Sequence, residues 1–588
     1  MLDGIRIHNL VKSISNYHRI PGSQGYLEAS DFVRDYILQL NLDVEMIYLK
    51  DTSYFKKPPS WTVKSAWMKW NASKWSYNDI PTLVAAYSES TGGEILEGPI
   101  VFEEKKRCGG ENAILVTHKH PLILYKRCGD QLNNLSGIIY YVNDKARTGS
   151  GFPYIRIPPI LVNQLSVPVI TSSRILTERL IKKEPGIELF IDLKNDEYKI
   201  PVIKTLIPGK TESSILLIAH LCHPKPGAND NASGAATLLW LAQKFSEKMK
   251  ETWQPFHNIV LVWTPEYLGT IYALETGFIP SEKFVFALNL DMVGGDPRLN
   301  GGSLNLVESS PSSPGIEEAV VSYFLEKEAN SNKSWGGSTD LPYVPFKPRV
   351  LFEFGSDHDV LASYGIPAIM INQWPDKYYH TNEDAPEKIS PQILQIVGQA
   401  SLRSLHYISR LTSEKGDSLS RMVWKYLLHS LDNVLGWENN SIRNGIESIK
   451  QRFDLIKMKT LGDPYLRKLV EEQFDRISTL LTSLINIFTY YEETTCFEGE
   501  HYNAVLKYIP ENFVLNLNYE SAEKYYDPLT RTLLIEFYRL LGNGWDTNSI
   551  ERYLKGYYGI SDKEVLCTIK HFIEELHKKN LLKNLGGG

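Results

Sequence analysis

The apolar positions of this chain change period several times, and the changes mark out its elements. Four short runs are apolar almost without interruption: ILLIA (215–219), NIVLVW (258–263), FVFALNL (284–290) and IPAIMI (366–371). Runs of this kind are strands buried on both faces of a sheet, and the chain between them has room for crossover helices, as in an α/β fold. Before them, Ile5, Leu10, Val11 and Ile14, then Ala29, Phe32, Val33, Tyr36, Ile37 and Leu40, recur at helical spacing. These two helices are joined by a turn at His18-Arg19-Ile20-Pro21-Gly22-Ser23. Between about 99 and 192 the pattern breaks into the short strand candidates GIIYYVND (137–144) and VPVITSS (167–173), with a helix candidate over 173–183. After residue 411 long helical patterns cover 418–435 and 442–493, and a small module comes after them over 505–585.

The residues just beyond each buried strand carry the chemistry. ILLIA runs into His220 and a loop with Asp230 ten residues on; NIVLVW runs into Thr264-Pro265-Glu266; FVFALNL runs into Asp291; IPAIMI leads, after Asn372 to Tyr379, to His380. Ligands of open α/β sheets bind outside the carboxyl ends of the strands. One acid at a strand end is ordinary, but four strands each delivering an acid or a histidine to one edge predict a site. Two histidines with two or three carboxylates form the mixed nitrogen and oxygen shell of a catalytic zinc centre. Asp230 is placed to bridge two ions, and a carboxylate left unligated could take a proton from water.

Composition narrows the function without choosing it. The net charge of −6 gives no global basic field, so nucleic acid is not an expected partner. The five cysteines (Cys108, Cys128, Cys222, Cys496 and Cys567) show no zinc-knuckle spacing, and an odd, scattered set suits a reducing compartment better than a disulfide framework. The first twenty residues lack the apolar core of a signal peptide and no apolar run reaches spanning length, so the sequence predicts a soluble, cytoplasmic protein without a membrane partner.

Taken together, AHLCHPKPGANDNASG, TPEYLG, LNLDMVGG and FGSDHDVLASYGIPAIMINQWPDKYYHTNEDAPEKI resemble, in this order, the blocks of the co-catalytic zinc aminopeptidases of the aminopeptidase Y and bacterial leucyl aminopeptidase type, metallopeptidase family 28. Glutaminyl cyclase shares that fold. The resemblance implies a mixed sheet sandwiched by helices, of the zinc-exopeptidase (phosphorylase/hydrolase-like) kind, formed by 1–98 and 193–414. The stretch 99–192 is similar to the protease-associated subdomain inserted in relatives. Carried over, the resemblance implies His220, Asp230 and Asp291 around one zinc, Asp230 bridging to a second that His380 also binds, and Glu266 as general base. Asp357 and His358 would line the substrate end, and Asp384 would orient His380. The expected reaction is removal of N-terminal residues from a peptide substrate.

Two departures bear on the number of zinc ions, one or two. Tyr267 stands where the family has the second acid of a pair, and Cys222, with His223 next to it, stands where it has an aspartate. Glu266 itself could bind metal, Tyr267 or His223 could complete the second ion's shell, or only one ion is held tightly; His223 is expected rather to brace or cap the loop. A single-zinc aminoacyl transferase or cyclase of the same fold is the alternative. A third reading is a catalytically inactive metal- or peptide-binding protein.

The carboxyl-terminal third is expected to hold a helical region (415–504) that packs on the catalytic domain or on a second subunit in a homodimer. A winged helix is expected over 505–588, with strands over 506–517 and helices over 527–541, 547–558 and 561–579. It resembles the PqqD type, which implies recognition of a leader peptide by strand addition.

Overall fold

The computed structural model describes residues 2–487 except 53–56, 104–107, 159–160, 184–185, 331, 334–339, 342–343, 410–415, 436–438 and 461–466; beyond 487 it describes 504–506, 532–533, 536–537, 539–540, 545–559 and 582–584. The core is an eight-stranded mixed sheet. In chain order its strands are β1 (Glu45–Tyr48), β2 (Pro201–Ile207), β3 (Ser214–His220), β4 (Asn258–Thr264), β5 (Phe284–Leu290), β6 (Ser303–Val307), β7 (Phe346–Val350) and β8 (Ala368–Trp374). Across the sheet they run β1-β2-β4-β3-β5-β8-β6-β7. The four apolar runs read from the sequence are β3, β4, β5 and β8, and they form the central parallel block.

Register explains why their ends converge. His220 pairs opposite Thr264, so Glu266 lies two residues beyond the end of that ladder. Leu290 pairs opposite Ile371, which leaves Asp291 as the first residue past β5. Ile215 to Ala219 are fully buried, each large aliphatic side chain contributing about 2 kcal/mol by leaving water.

Helices cover both faces, among them α1 (Leu2–Ser15), α2 (Gln24–Gln39), α3 (Gly234–Lys250), α4 (Glu317–Ala329) and α5 (Pro391–Ile408). Ser23 caps α2 by accepting the Tyr26 N–H. Gly234 opens α3 where a Cβ would meet the Leu290 carbonyl oxygen at 2.1 Å. Only glycine lets the start of α3 approach the end of β5 this closely.

The insert is a seven-stranded sheet of its own, in the order Ser73–Ser76, Val63–Trp70, Gly186–Leu193, Leu96–Phe102, Ile114–Thr117, Gly137–Tyr140, Val169–Thr171. It takes in residues 63–76, which lie on the catalytic side of the boundary expected at 99; Ala66 to Lys69 pair with 188–191. Cys108 and Cys128 are joined by a disulfide within it, so the expectation that the thiols are free fails for this pair; Cys222 is free.

Within the long pattern over 442–493 the described residues form two helices, α7 (Asn439–Thr460) and α8 (Arg467–Ile487), which come after α6 (Gly416–Leu435), while 488–493 lie outside the described residues. The sequence between α7 and α8 contains Gly462 and Pro464, which disfavour a continuous helix. Of the expected winged helix, the second helix is present as α9 (Thr547–Tyr558), which packs on α7. Ala504–Leu506 pairs with Leu582–Asn584, while 507–517 and 561–579 lie outside the described residues. Among the described residues no helix is long and apolar enough to cross a membrane.

A buried polar network fastens this region to the catalytic domain. Arg349 binds Glu308 through Nε (2.7 Å) and Nη2 (3.0 Å), and Tyr426 on α6 donates to the same carboxylate at 2.6 Å. Arg452 on α7 reaches both oxygens of Glu318 on α4, at 3.0 and 2.9 Å. On α9, Tyr553 donates to the Pro311 carbonyl and Tyr558 to that of Phe352, each at 3.0 Å. Burial opposes ionisation of Glu308, but Arg349 and Arg452 outweigh it and hold the carboxyl below its usual range.

Candidate metal centre

The carboxyl edge of β3, β4, β5 and β8 brings together four residues singled out in the sequence, with a fifth beside them. His220 Nε2 lies 3.2 Å from Asp291 Oδ1 and 3.4 Å from Asp230 Oδ1. The other oxygen of Asp230, Oδ2, lies 3.2 Å from Nε2 of both His223 and His380. Two overlapping groups result, His220–Asp230–Asp291 and His223–Asp230–His380, each with its potential ligand atoms within 4.8 Å of one another. Asp230 belongs to both.

Local chemistry fixes the orientation of the imidazoles. Nδ1 of His220 donates to the Cys222 carbonyl, and Nδ1 of His223 donates to the Pro224 carbonyl, both at 3.1 Å. Each ring therefore presents an unprotonated Nε2 to the cluster when neutral, the tautomer a metal requires. The Nε2 of His223 is buried and makes no hydrogen bond. An orphaned imidazole nitrogen facing a carboxylate fits a cation between them.

Electrostatics agree. Burial would lower the pKa of His220, but Asp291 and Glu266 outweigh it and hold the imidazole well above its ordinary value. Burial would raise Asp230, yet His223 and His380 hold it well below. Glu266 is pushed up to about 8 by burial, with Asp291, Asp357 and Asp230 adding to the effect and His220 opposing it. Such crowding of carboxylates is relieved by a divalent cation.

The loop holding Asp230 is secured by side chains that sequence reasoning passed over. Asn229 Oδ1 accepts the N–H groups of Gly294 and Gly295, and Asn231 donates through Nδ2 to the Leu290 carbonyl while accepting from Met292 N. Asp230 is thereby tied on both sides to the segment around Asp291. Arg19, fully buried, donates to the carbonyls of Leu221 (2.8 Å), Gly227 (2.8 Å), Ile14 (2.9 Å), Tyr17 (3.2 Å) and Pro226 (3.2 Å). No sequence signal marks Arg19 beyond its position in the turn between two helices.

Other expected residues lie elsewhere. Asp384 does not orient His380: its two oxygens accept the backbone N–H groups of Asn229 (2.8 Å) and Asp230 (2.9 Å), so it braces the bridging loop. Asp357 and His358 are fully buried, which removes them from a substrate-lining position. Asp357 Oδ1 accepts Tyr267 N and Thr270 Oγ1, and His358 Nε2 donates to the Glu353 carbonyl. Tyr267 directs its hydroxyl to Asp359 Oδ2 at 3.1 Å. Its φ of 60° places it in the left-handed region, as do Met292 (57°) and His380 (53°). These backbone strains, each on the order of 1–3 kcal/mol, fall at or beside Glu266, Asp291 and His380.

The side chain of His380 is 33% exposed, against 3% for His220 and His223. Glu266 is half-buried, and its backbone N–H donates to Cys222 Sγ at 3.2 Å.

A parallel sheet whose carboxyl edge gathers these donors has the make-up of a metal centre, and comparison with known proteins agrees with the resemblance seen in the sequence. Residues 202–405 match the model of peptidase family M28, so the resemblance seen in the sequence is borne out. A zinc aminopeptidase of Bacillus subtilis superimposes with a TM-score of 0.51 at 15% identity, covering 69% of this chain and 95% of that one. An M28 peptidase precursor of Shewanella amazonensis gives 0.50 at 16%, covering 69% and 93%, and a protein of Clostridium acetobutylicum gives 0.51 at 15%, covering 82% and 95%. At these identities the likeness is one of fold. No curated protein sequence matches the chain.

Proposed function

We propose that the protein is a zinc-dependent aminopeptidase that removes N-terminal residues from peptides. The observation that carries this reading is the carboxylate of Asp230, whose Oδ1 faces His220 while Oδ2 faces His223 and His380. His220, Asp230 and Asp291 would hold one zinc; His223, Asp230 and His380 would hold the other. His223 thus supplies the ligand that the absence of a second acid at Tyr267 had left wanting, which weakens the case for a single-zinc transferase or cyclase. Zinc held there supplies Lewis acidity, polarising the scissile carbonyl and making water acidic near pH 7.

Glu266 is the general base: its carboxylate takes a proton from the attacking water and passes it to the leaving amine. Cations held by the neighbouring carboxylates would favour the ionised form of Glu266, the form that accepts the proton. Asn229, Asn231, Asp384 and Arg19 hold the loop so that Asp230 and the two histidines beside it keep their geometry. The C-terminal module, as a winged helix, would bind a leader peptide or serve only to pack; the burial of α9 favours packing. A cytoplasmic location belongs to the same proposal, with the Cys108–Cys128 disulfide weighing against it.

The test is Glu266→Gln. It should lower kcat on an amino-peptide substrate about 10²–10⁴-fold while zinc per chain, measured by plasma mass spectrometry, stays the same. Activity within a few-fold of wild type would remove Glu266 from the base role. Wild-type protein that carries zinc yet cleaves no member of an amino-peptide panel would overturn the aminopeptidase reading.

A further inference from the structure

The insert reaches the metal centre. Its segment 147–154 runs beside 377–383, the stretch that carries His380. Thr148 N donates to the Lys377 carbonyl (2.9 Å), Phe152 N to Asn382 Oδ1 (2.7 Å), and Tyr154 N to the His380 carbonyl (2.6 Å). Thr148 and Ser150 each donate to a separate oxygen of Glu383, both at 2.6 Å. The segment is latched along its length, so what it projects into the site is fixed.

It projects Tyr154. The phenol ring meets His223 edge-on at 5.2 Å between centroids and His380 at 5.3 Å, with interplanar angles of 61° and 73°. It therefore lies against both imidazoles of the second donor group, beside His380, the most exposed of the described ligand candidates. The side chain is half-buried, and among the described residues its hydroxyl has no hydrogen-bond partner. A tyrosine needed only to pack on two histidines gains nothing from an unpaired hydroxyl at the mouth of a polar site, since Phe would pack equally well.

We infer that Tyr154 is a substrate-contacting residue, its hydroxyl making a hydrogen bond to the N-terminal residue of the peptide while its ring walls the His223–His380 side of the site. The inference rests on the aminopeptidase reading for the identity of the ligand, but not for the contact itself. It makes the insert part of the active site rather than a lid over it. A hydrogen bond of this kind is worth about 1 kcal/mol net, so its loss reads as roughly fivefold.

The test compares wild type with Tyr154→Phe, which keeps the ring and removes only the hydroxyl. Three quantities are measured on the zinc-loaded full chain: zinc per chain, kcat and KM on an amino-peptide, and the affinity of L-leucine hydroxamate by calorimetry. The expected result is unchanged zinc content with kcat/KM and hydroxamate affinity each reduced at least fivefold. Equal hydroxamate affinity in the two proteins, both failing to bind included, overturns the inference. So does a loss of turnover that merely tracks a loss of zinc, which would make Tyr154 a brace for the histidines. Wild type that cleaves no peptide yet binds hydroxamate more tightly than the variant would defeat the aminopeptidase reading and leave this contact standing.

Discussion

Replacing Arg19 with Met tests how the loop bearing the two neighbouring histidines is held. The substitution keeps the length and apolar character of the buried stem and removes all the donors. Three carbonyls, those of Leu221, Gly227 and Ile14, lose contacts of 2.8–2.9 Å in a buried setting. Those of Tyr17 and Pro226 lose longer ones, at 3.2 Å, where the surroundings are only partly buried. An unsatisfied buried polar group costs about 1–3 kcal/mol. Counting the three buried acceptors in full and letting the other two find water gives a loss of about 5 kcal/mol. The assay is urea unfolding of metal-free Arg19→Met against wild type, then zinc titration under native conditions. Because the acceptors span 221–227, zinc affinity should fall as well, through displacement of His223. A loss under about 1 kcal/mol would refute the reasoning, since it would mean the carbonyls find other partners without the guanidinium.

His223→Ala should reduce zinc from two ions per chain to one, by plasma mass spectrometry; two ions retained would return His223 to a bracing role. The metal-free protein should lose stability as pH rises from about 4.5 to about 8. Over that window the unfolded chain has released the proton of Glu266 while the folded chain still holds it, so rising pH favours unfolding. Glu266→Gln should flatten that slope in urea midpoints taken across the range, and an identical slope in the variant would exclude Glu266 as its source. Non-reducing peptide mapping should recover Cys108 linked to Cys128; free thiols at both positions in protein prepared without reductant would contradict the bond.

The central block of the fold was readable because strands buried on both faces have no polar alternation to confuse them, and the parallel register then aligned His220, Glu266 and Asp291 at one edge. The sequence reads His223 as a bracing or capping histidine, while in the structure its Nε2 lies 3.2 Å from Asp230 Oδ2. Its role depends on Nδ1 being taken up by the Pro224 carbonyl, which no residue pattern encodes. Asp384 was placed near the site but given the wrong partner, since acceptance from backbone N–H groups leaves no mark on the identity of the donor residues. Arg19 and Tyr154 lie about 200 and 70 residues before the loop they serve. Only the packed chain brings them there. The insert boundary was misjudged because residues 63–76 carry no turn or linker signal that separates them from what precedes, and their partners are 120 residues away.

The network joining α6, α7 and α9 to the catalytic domain also governs how the protein can be divided. Cutting the chain after residue 411 would take Tyr426 from Glu308, which keeps Arg349, and would take Arg452 from Glu318. A fragment ending there would lack interactions that the whole chain makes, and stability measured on it would understate that of the whole.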